Sequence, residues 1–220
     1  MLALGLPPRP LTLLCLGAHA DDIEIGCGGS ILRLLDEHPG STVRWVVFSA
    51  SPERRREAEQ SAALLLAQAA NRQVSVHDLR DGCLPAARIE LKDLFEQLKH
   101  DLAPGPDLIF THFRDDRHQD HRTISDLTWE TFRDHLVLEY EVPKYDGDLG
   151  APNTFISLPE ALCRRKVAHL LAAFPSQRAR RAFDEQTFNG LMRLRGLECA
   201  AADGYAEGFH ARKVVLGRGQ

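Results

Sequence analysis

Basic excess, long apolar runs and paired cysteines are all missing from this chain of 220 residues. Lysine and arginine number 27 against 31 acidic residues, for a formal net charge of −4. That balance gives no electrostatic case for general nucleic-acid binding. No apolar stretch approaches the ~20 residues needed to span a bilayer, so no membrane span is expected. The cysteines (Cys15, Cys27, Cys83, Cys163 and Cys199) are odd in number and dispersed, with no C-x-x-C pair. This argues against a disulfide framework or a cysteine zinc site, and for reduced thiols in a cytoplasmic setting. The first residues lack a basic segment and are broken by Pro7 and Pro8, so they do not read as a signal peptide. Internal repeats and linker-like composition are absent too, which leaves one domain over 1–220 as the expectation.

What is present is an ordinary globular composition, 44% hydrophobic and 26% charged, in a regular alternation. The apolar run Leu11 to Ala18 reads as a buried strand. A glycine-rich turn through Gly26, Gly28 and Gly29 leads into the helical stretch ILRLLDEH. TVRWVVFSA (42–50) is a second strand, and Ser51-Pro52 starts a long helix. VSVHDL (74–79), a helix over IELKDLFEQLKHDL, and the strand DLIFTHF follow. The second half is less regular: a helix over HRTISDLTWETFRDHL continuing from residue 121, a strand VLEYEVP, a loop over 144–153 and a strand TFISLP. Helices beginning near Pro159 and spanning about 184–200 come next, and ARKVVL supplies a last strand. Alternating strands and helices imply parallel pairing with right-handed crossovers. The expected fold is therefore α/β, a Rossmann-like three-layer sandwich with a mostly parallel sheet and a less regular C-terminal part. The first turn is no dinucleotide site, because its glycines miss the G-x-G-x-x-G spacing.

Two clusters carry chemistry. His19, Asp21 and Asp22 sit where the first strand hands over to its helix, the edge at which open α/β sheets keep their sites. Asp21-Asp22 alone would read as a solvated helix start. A hundred residues later His118, Asp120 and His121 follow another apolar run. Imidazole plus carboxylate is a donor set used by catalytic zinc, which takes three protein ligands and leaves a position for water.

Together these motifs, Ala18-His19-Ala20-Asp21-Asp22 and His118-Gln119-Asp120-His121, resemble those of the PIG-L/LmbE family of zinc-dependent N-deacetylases. Alanine stands at position 20 in place of the usual proline. The likeness continues in order through Arg56, Asp81-Gly82, Glu139-Tyr140-Glu141, Pro152-Asn153, Ser176-Gln177 and Tyr205–Phe209. It implies that His19, Asp22 and His121 bind one zinc ion and that Asp21 is the general base. It gives His118 the task of stabilising the oxyanion or protonating the leaving amine, and makes Arg56 a substrate anchor. Asp120 would orient an imidazole by hydrogen bonding. The implied reaction is hydrolysis of the N-acetyl group of an N-acetylglucosamine-type small molecule. Another amide of the same family, or a non-catalytic sugar-binding module, stays open, as does homo-oligomerisation. Arg54 and Arg55 read as a solvated helix face, Asp115, Asp116 and Arg117 as a loop rim. His77, His112, His135, His169 and His210 take core or surface roles, with His210 the one nearest a family segment.

Overall fold

A computed structural model describes residues 4–215. Seven strands form one sheet in the order β3-β2-β1-β4-β5-β7-β6. These are β1 Thr12–Gly17, β2 Thr42–Val47, β3 Asn71–Val76, β4 Leu108–His112, β5 Val137–Tyr140, β6 Thr154–Leu158 and β7 Tyr205–Ala211. Strands β1 to β5 pair in parallel; β7 runs antiparallel to both β5 and β6. The helices are α1 Asp22–Glu37, α2 Pro52–Leu65, α3 Arg88–Asp101, α4 Gln119–Thr131, α5 Glu160–Ala173 and α6 Glu185–Glu198.

Alternation along β1 shows the three layers. Leu13 and Cys15 join a core shared with α1, α2, α5 and α6, whereas Leu14 and Leu16 join a second core with α3 and α4. Both faces of the strand are buried, which is why it reads as an uninterrupted apolar run rather than an alternating one.

Several boundaries differ from the sequence expectation, β3 among them, which runs Asn71–Val76 rather than 74–79. The helix of the first unit begins at Asp22, so Gly26, Gly28 and Gly29 lie inside α1 and form no turn. A Cβ at Gly26 would run into the Tyr140 ring, and one at Gly29 into Leu158, so small residues let the helix settle against the sheet. The last strand is Tyr205–Ala211; Arg212 to Val215 carry no strand and Leu216 lies outside the described residues. Pro159 caps α5 from just outside it.

Chain order reverses between β1 and β4, which lie side by side. Their carboxyl ends flank the crevice where ligands of doubly wound sheets bind. The loop from β1 to α1 carries His19 and Asp21, with Asp22 opening α1. The loop from β4 to α4 carries His118, with Asp120 and His121 opening α4.

Candidate metal centre

Three acceptor atoms converge at this crevice. His19 Nδ1 lies 3.3 Å from Asp22 Oδ2 and 3.2 Å from His121 Nε2, and His121 Nε2 lies 3.5 Å from Asp22 Oδ2. Donor atoms held ~2.0–2.1 Å from a tetrahedral ion stand about 3.3–3.4 Å apart, so the triangle fits one zinc-sized cation.

The outer nitrogens of both rings are committed elsewhere. His19 Nε2 faces Asp120 Oδ2 at 3.2 Å and Asp81 Oδ1 at 3.1 Å, while His121 Nδ1 donates to Asp116 Oδ2 at 2.9 Å. Carboxylates only accept, so each ring carries its proton on the outside and turns a lone pair inward. Two lone pairs and a carboxylate oxygen facing one another call for positive charge between them. Burial disfavours a charged His19, yet Asp22, Asp120 and Asp81 outweigh it and hold its pKa well above the usual imidazole range, so a proton competes with a cation for the inward Nδ1 lone pair. Asp22 shows the converse. Burial opposes its charge, but the imidazoles of His121, His112 and His19 hold its pKa well below the ordinary range.

Backbone geometry fixes the supporting groups. Asp22 Oδ2 accepts the His19 amide at 2.7 Å, tying the two residues within one turn. Asp120 is fully buried and accepts the amides of Gly82 at 2.7 Å and Leu84 at 3.0 Å. The Asp81-Gly82 turn thus holds the carboxylate that orients His19. His118 caps α4 by accepting the Asp120 amide on Nδ1 at 3.2 Å. In the neutral ring this leaves Nε2 as the N–H donor. Burial, followed by the nearby His121 and His19, lowers the His118 pKa and favours that neutral form.

Asp21 stands beside the triangle without joining it. Burial raises its pKa, opposed by Arg54, whose Nη2 donates to Asp21 Oδ1 at 2.6 Å. Arg56, the arginine singled out from the sequence, is exposed and has no hydrogen bond or ion pair among the described residues. The two positions are i and i+2 on the helix, about 200° apart, so they face nearly opposite ways. Arg54 is held in turn by Glu57 at 4.0 Å, and Glu57 accepts both the amide and the hydroxyl of Ser176.

Two further residues at the site escaped the sequence reading. Asp116, taken as rim, is 2% exposed and positions His121. His112, taken as core or surface, is fully buried with its ring stacked 3.9 Å from that of His121. Its Nε2 sits 3.3 Å from Asp22 Oδ2 but accepts the Ala18 amide at 2.9 Å. That lone pair is engaged by the backbone, so His112 floors the site beneath Asp22 and His121. His210 stacks on Phe113 at 4.0 Å, away from the triangle.

A family model described as PIG-L, GlcNAc-PI de-N-acetylase, matches residues 14–132. The chain is 28% identical over 171 residues to "Uncharacterized deacetylase YaiS" of Escherichia coli (strain K12), covering 72% of this chain and 88% of that one. The N,N'-diacetylchitobiose deacetylase of Pyrococcus horikoshii superposes with a TM-score of 0.71 at 23% identity, over 91% of this chain and 83% of its own. GalB, the 4-carboxy-2-hydroxymuconate hydratase of Pseudomonas putida KT2440, reaches 0.70 at 17% identity, over 96% and 99%. At those identities the two structures speak for the fold. The family match spans more than half of the chain and runs through both histidine–aspartate motifs: the chain belongs to the PIG-L family.

Proposed function

We propose that the chain is a zinc-dependent hydrolase that removes the N-acetyl group from an N-acetylglucosamine-type sugar derivative, releasing acetate and a free amine. One observation carries this reading. Three inward-turned acceptors stand beside a buried carboxylate, Asp21, that is not one of them. A pure binding module has no use for that fourth group, whereas hydrolysis needs a base next to the ion. Bound at His19, Asp22 and His121, zinc would supply Lewis acidity and lower the pKa of water towards ~7.

The chain's own groups then have distinct tasks. Asp21 takes up the proton of the attacking water, and Arg54 keeps its carboxylate ionised and aimed until then. Burial raises the Asp21 pKa and makes it a better acceptor than an ordinary aspartate. His118 presents Nε2–H toward the same crevice, where it donates to the oxygen that gains charge as the amide carbonyl is attacked. The proton taken up by Asp21 can then pass to the departing amine, so that atoms and charge balance without deprotonating the neutral His118. Arg54 also lines the approach, and a guanidinium suits sugar hydroxyls or an anionic substituent. The five free cysteines agree with a cytoplasmic setting, and no helix among the described residues is long and apolar enough to cross a membrane.

Zinc content measured beside acetate release from a panel of N-acetylglucosamine derivatives tests the reading. About one ion per chain is expected. Asp21→Asn should keep the metal and lose roughly 10²–10⁴-fold in kcat, the usual contribution of a general base. Metal without acetate would point to another amide, and absence of metal would overturn the proposal.

A further inference from the structure

Lys144 lies in the loop between β5 and β6, outside both sequence motifs. Its Nζ donates to Asp148 Oδ2 at 2.5 Å and lies 2.8 Å from Asp116 Oδ2. The lysine side chain is 15% exposed, and those of Asp116 and Asp148 are 3% and 6% exposed. Surface ion pairs contribute little, but a cation enclosed between two buried carboxylates is costly to remove because both lose their partner.

The Asp116 carboxylate is the one that governs the site. Its Oδ2 accepts from His121 Nδ1 at 2.9 Å and its Oδ1 from the His118 amide at 2.7 Å. Asp148 Oδ2 accepts the Arg117 amide at 2.7 Å, so the second carboxylate fastens the loop to the same turn. The far end of the loop is pinned as well. Gly150 donates its amide to Glu141 at 2.9 Å and offers its carbonyl to Arg195 at 3.1 Å. Glu141 and Arg195 themselves form a buried two-pronged pair. Nothing in this arrangement leaves Lys144 free to bind substrate, since both of its carboxylate partners occupy it.

We propose that Lys144 is a positioning residue: by clamping Asp116 against Asp148, it keeps the His121 ring oriented with Nε2 turned toward His19 and Asp22. The inference rests on the metal-centre reading for its consequence, though not for its geometry. Without the lysine, Asp116 can rotate away and His121 can place its proton on Nε2, facing inward. Orienting partners of metal-bound histidines are worth about 10–100-fold in metal affinity.

The test uses the full chain with Lys144→Met, Lys144→Arg, Asp116→Asn and the Met/Asn double variant. Two quantities are read: the His121 ring tautomer in the metal-free protein, from long-range proton–nitrogen NMR correlations, and zinc affinity by competition with a chelating dye. Wild type should show the Nδ1–H form. Lys144→Met should give mixed tautomers and about 10–100-fold weaker zinc binding, with Lys144→Arg recovering most of it. In the Asp116→Asn background the Met substitution should add no more than about twofold, since a residue acting through Asp116 has nothing left to act on. Wild-type tautomer and affinity in Lys144→Met, or losses that multiply in the double variant, would overturn the clamp. If wild type binds no zinc, the metal-centre reading falls, and the tautomer comparison still decides whether Lys144 orients His121.

Discussion

Arg54 and Arg56 are separated by one residue in sequence and by the width of a helix in space. A run of arginines at the start of α2 gives no sign of which one turns inward, because charged residues do not mark a buried face. The mark lies in what surrounds them: Glu57 and Ala58 are buried on the face that Arg54 shares, while Arg56 points to solvent. Arg54→Met should therefore lower kcat/KM by roughly 10–100-fold, the equivalent of one charge-assisted hydrogen bond of about 1.5–3 kcal/mol. Arg56→Met should stay within about twofold, as exposed substitutions do. Steady-state kinetics of both variants on one acetylated sugar decide it, and the reverse order would return the anchor to Arg56. The residues that converge were legible at His19, Asp22, His118, Asp120 and His121 because their spacing carries a motif. Asp116 and Lys144 were not, since their partners are set by a loop whose path no local pattern encodes.

Helix α1 shows what an element adds beyond its residues. Glycines normally argue against a helix interior, and the sequence reading placed a turn there. The packed face overrides that propensity, because Tyr140, Leu158 and Glu207 crowd the positions where side chains would stand. Close packing also buries Glu24 between α1, α2 and α5. Its Oε1 accepts from Ser61 Oγ at 2.5 Å, Oε2 has no partner among the described residues, and His169 Nε2 lies 2.8 Å from the same hydroxyl. Burial pushes the Glu24 pKa up to about 8, against the pull of the Ser61 hydrogen bond. The folded chain then holds a proton that the unfolded chain releases from about pH 4.5 upward. Stability linked to this group is full below that pH and declines as pH rises towards about 8, at ~1.4 kcal/mol per unit. Glu24→Gln mimics the protonated form. Melting of the metal-free proteins should give matching Tm values near pH 5 and a Tm several degrees higher for the variant near pH 8.5. Parallel pH profiles would show that Glu24 is ionised and satisfied in the fold.

At the scale of the molecule, the site exists because chain order reverses between β1 and β4. The strands and helices were readable from periodicity and the mostly parallel sheet from their alternation. The antiparallel β7 was placed too late, because its polar Glu207 and His210 hide a buried strand. Glu207 is buried in a pair with Lys166 at 2.5 Å and accepts the amides of Gly29 and Ser30, so its charge is matched inside the core. A fold shared with both a deacetylase and a hydratase does not choose the chemistry; the groups at the switch point do. Their placement has a consequence for stability that requires no substrate. His19 and Asp22 belong to the β1–α1 unit and His121 to the β4–α4 unit, so one ion held by all three links both halves of the crevice in the folded state only. Zinc at 100 times its dissociation constant should stabilise the metal-free protein by about 2.7 kcal/mol, or roughly 5–11 °C in Tm for a chain of this size. His121→Ala should abolish that shift while melting as a cooperative unit, because the two cores on either side of the sheet do not depend on the ion. An equal rise in the variant would place the metal elsewhere and detach the convergence of His19, Asp22 and His121 from metal binding.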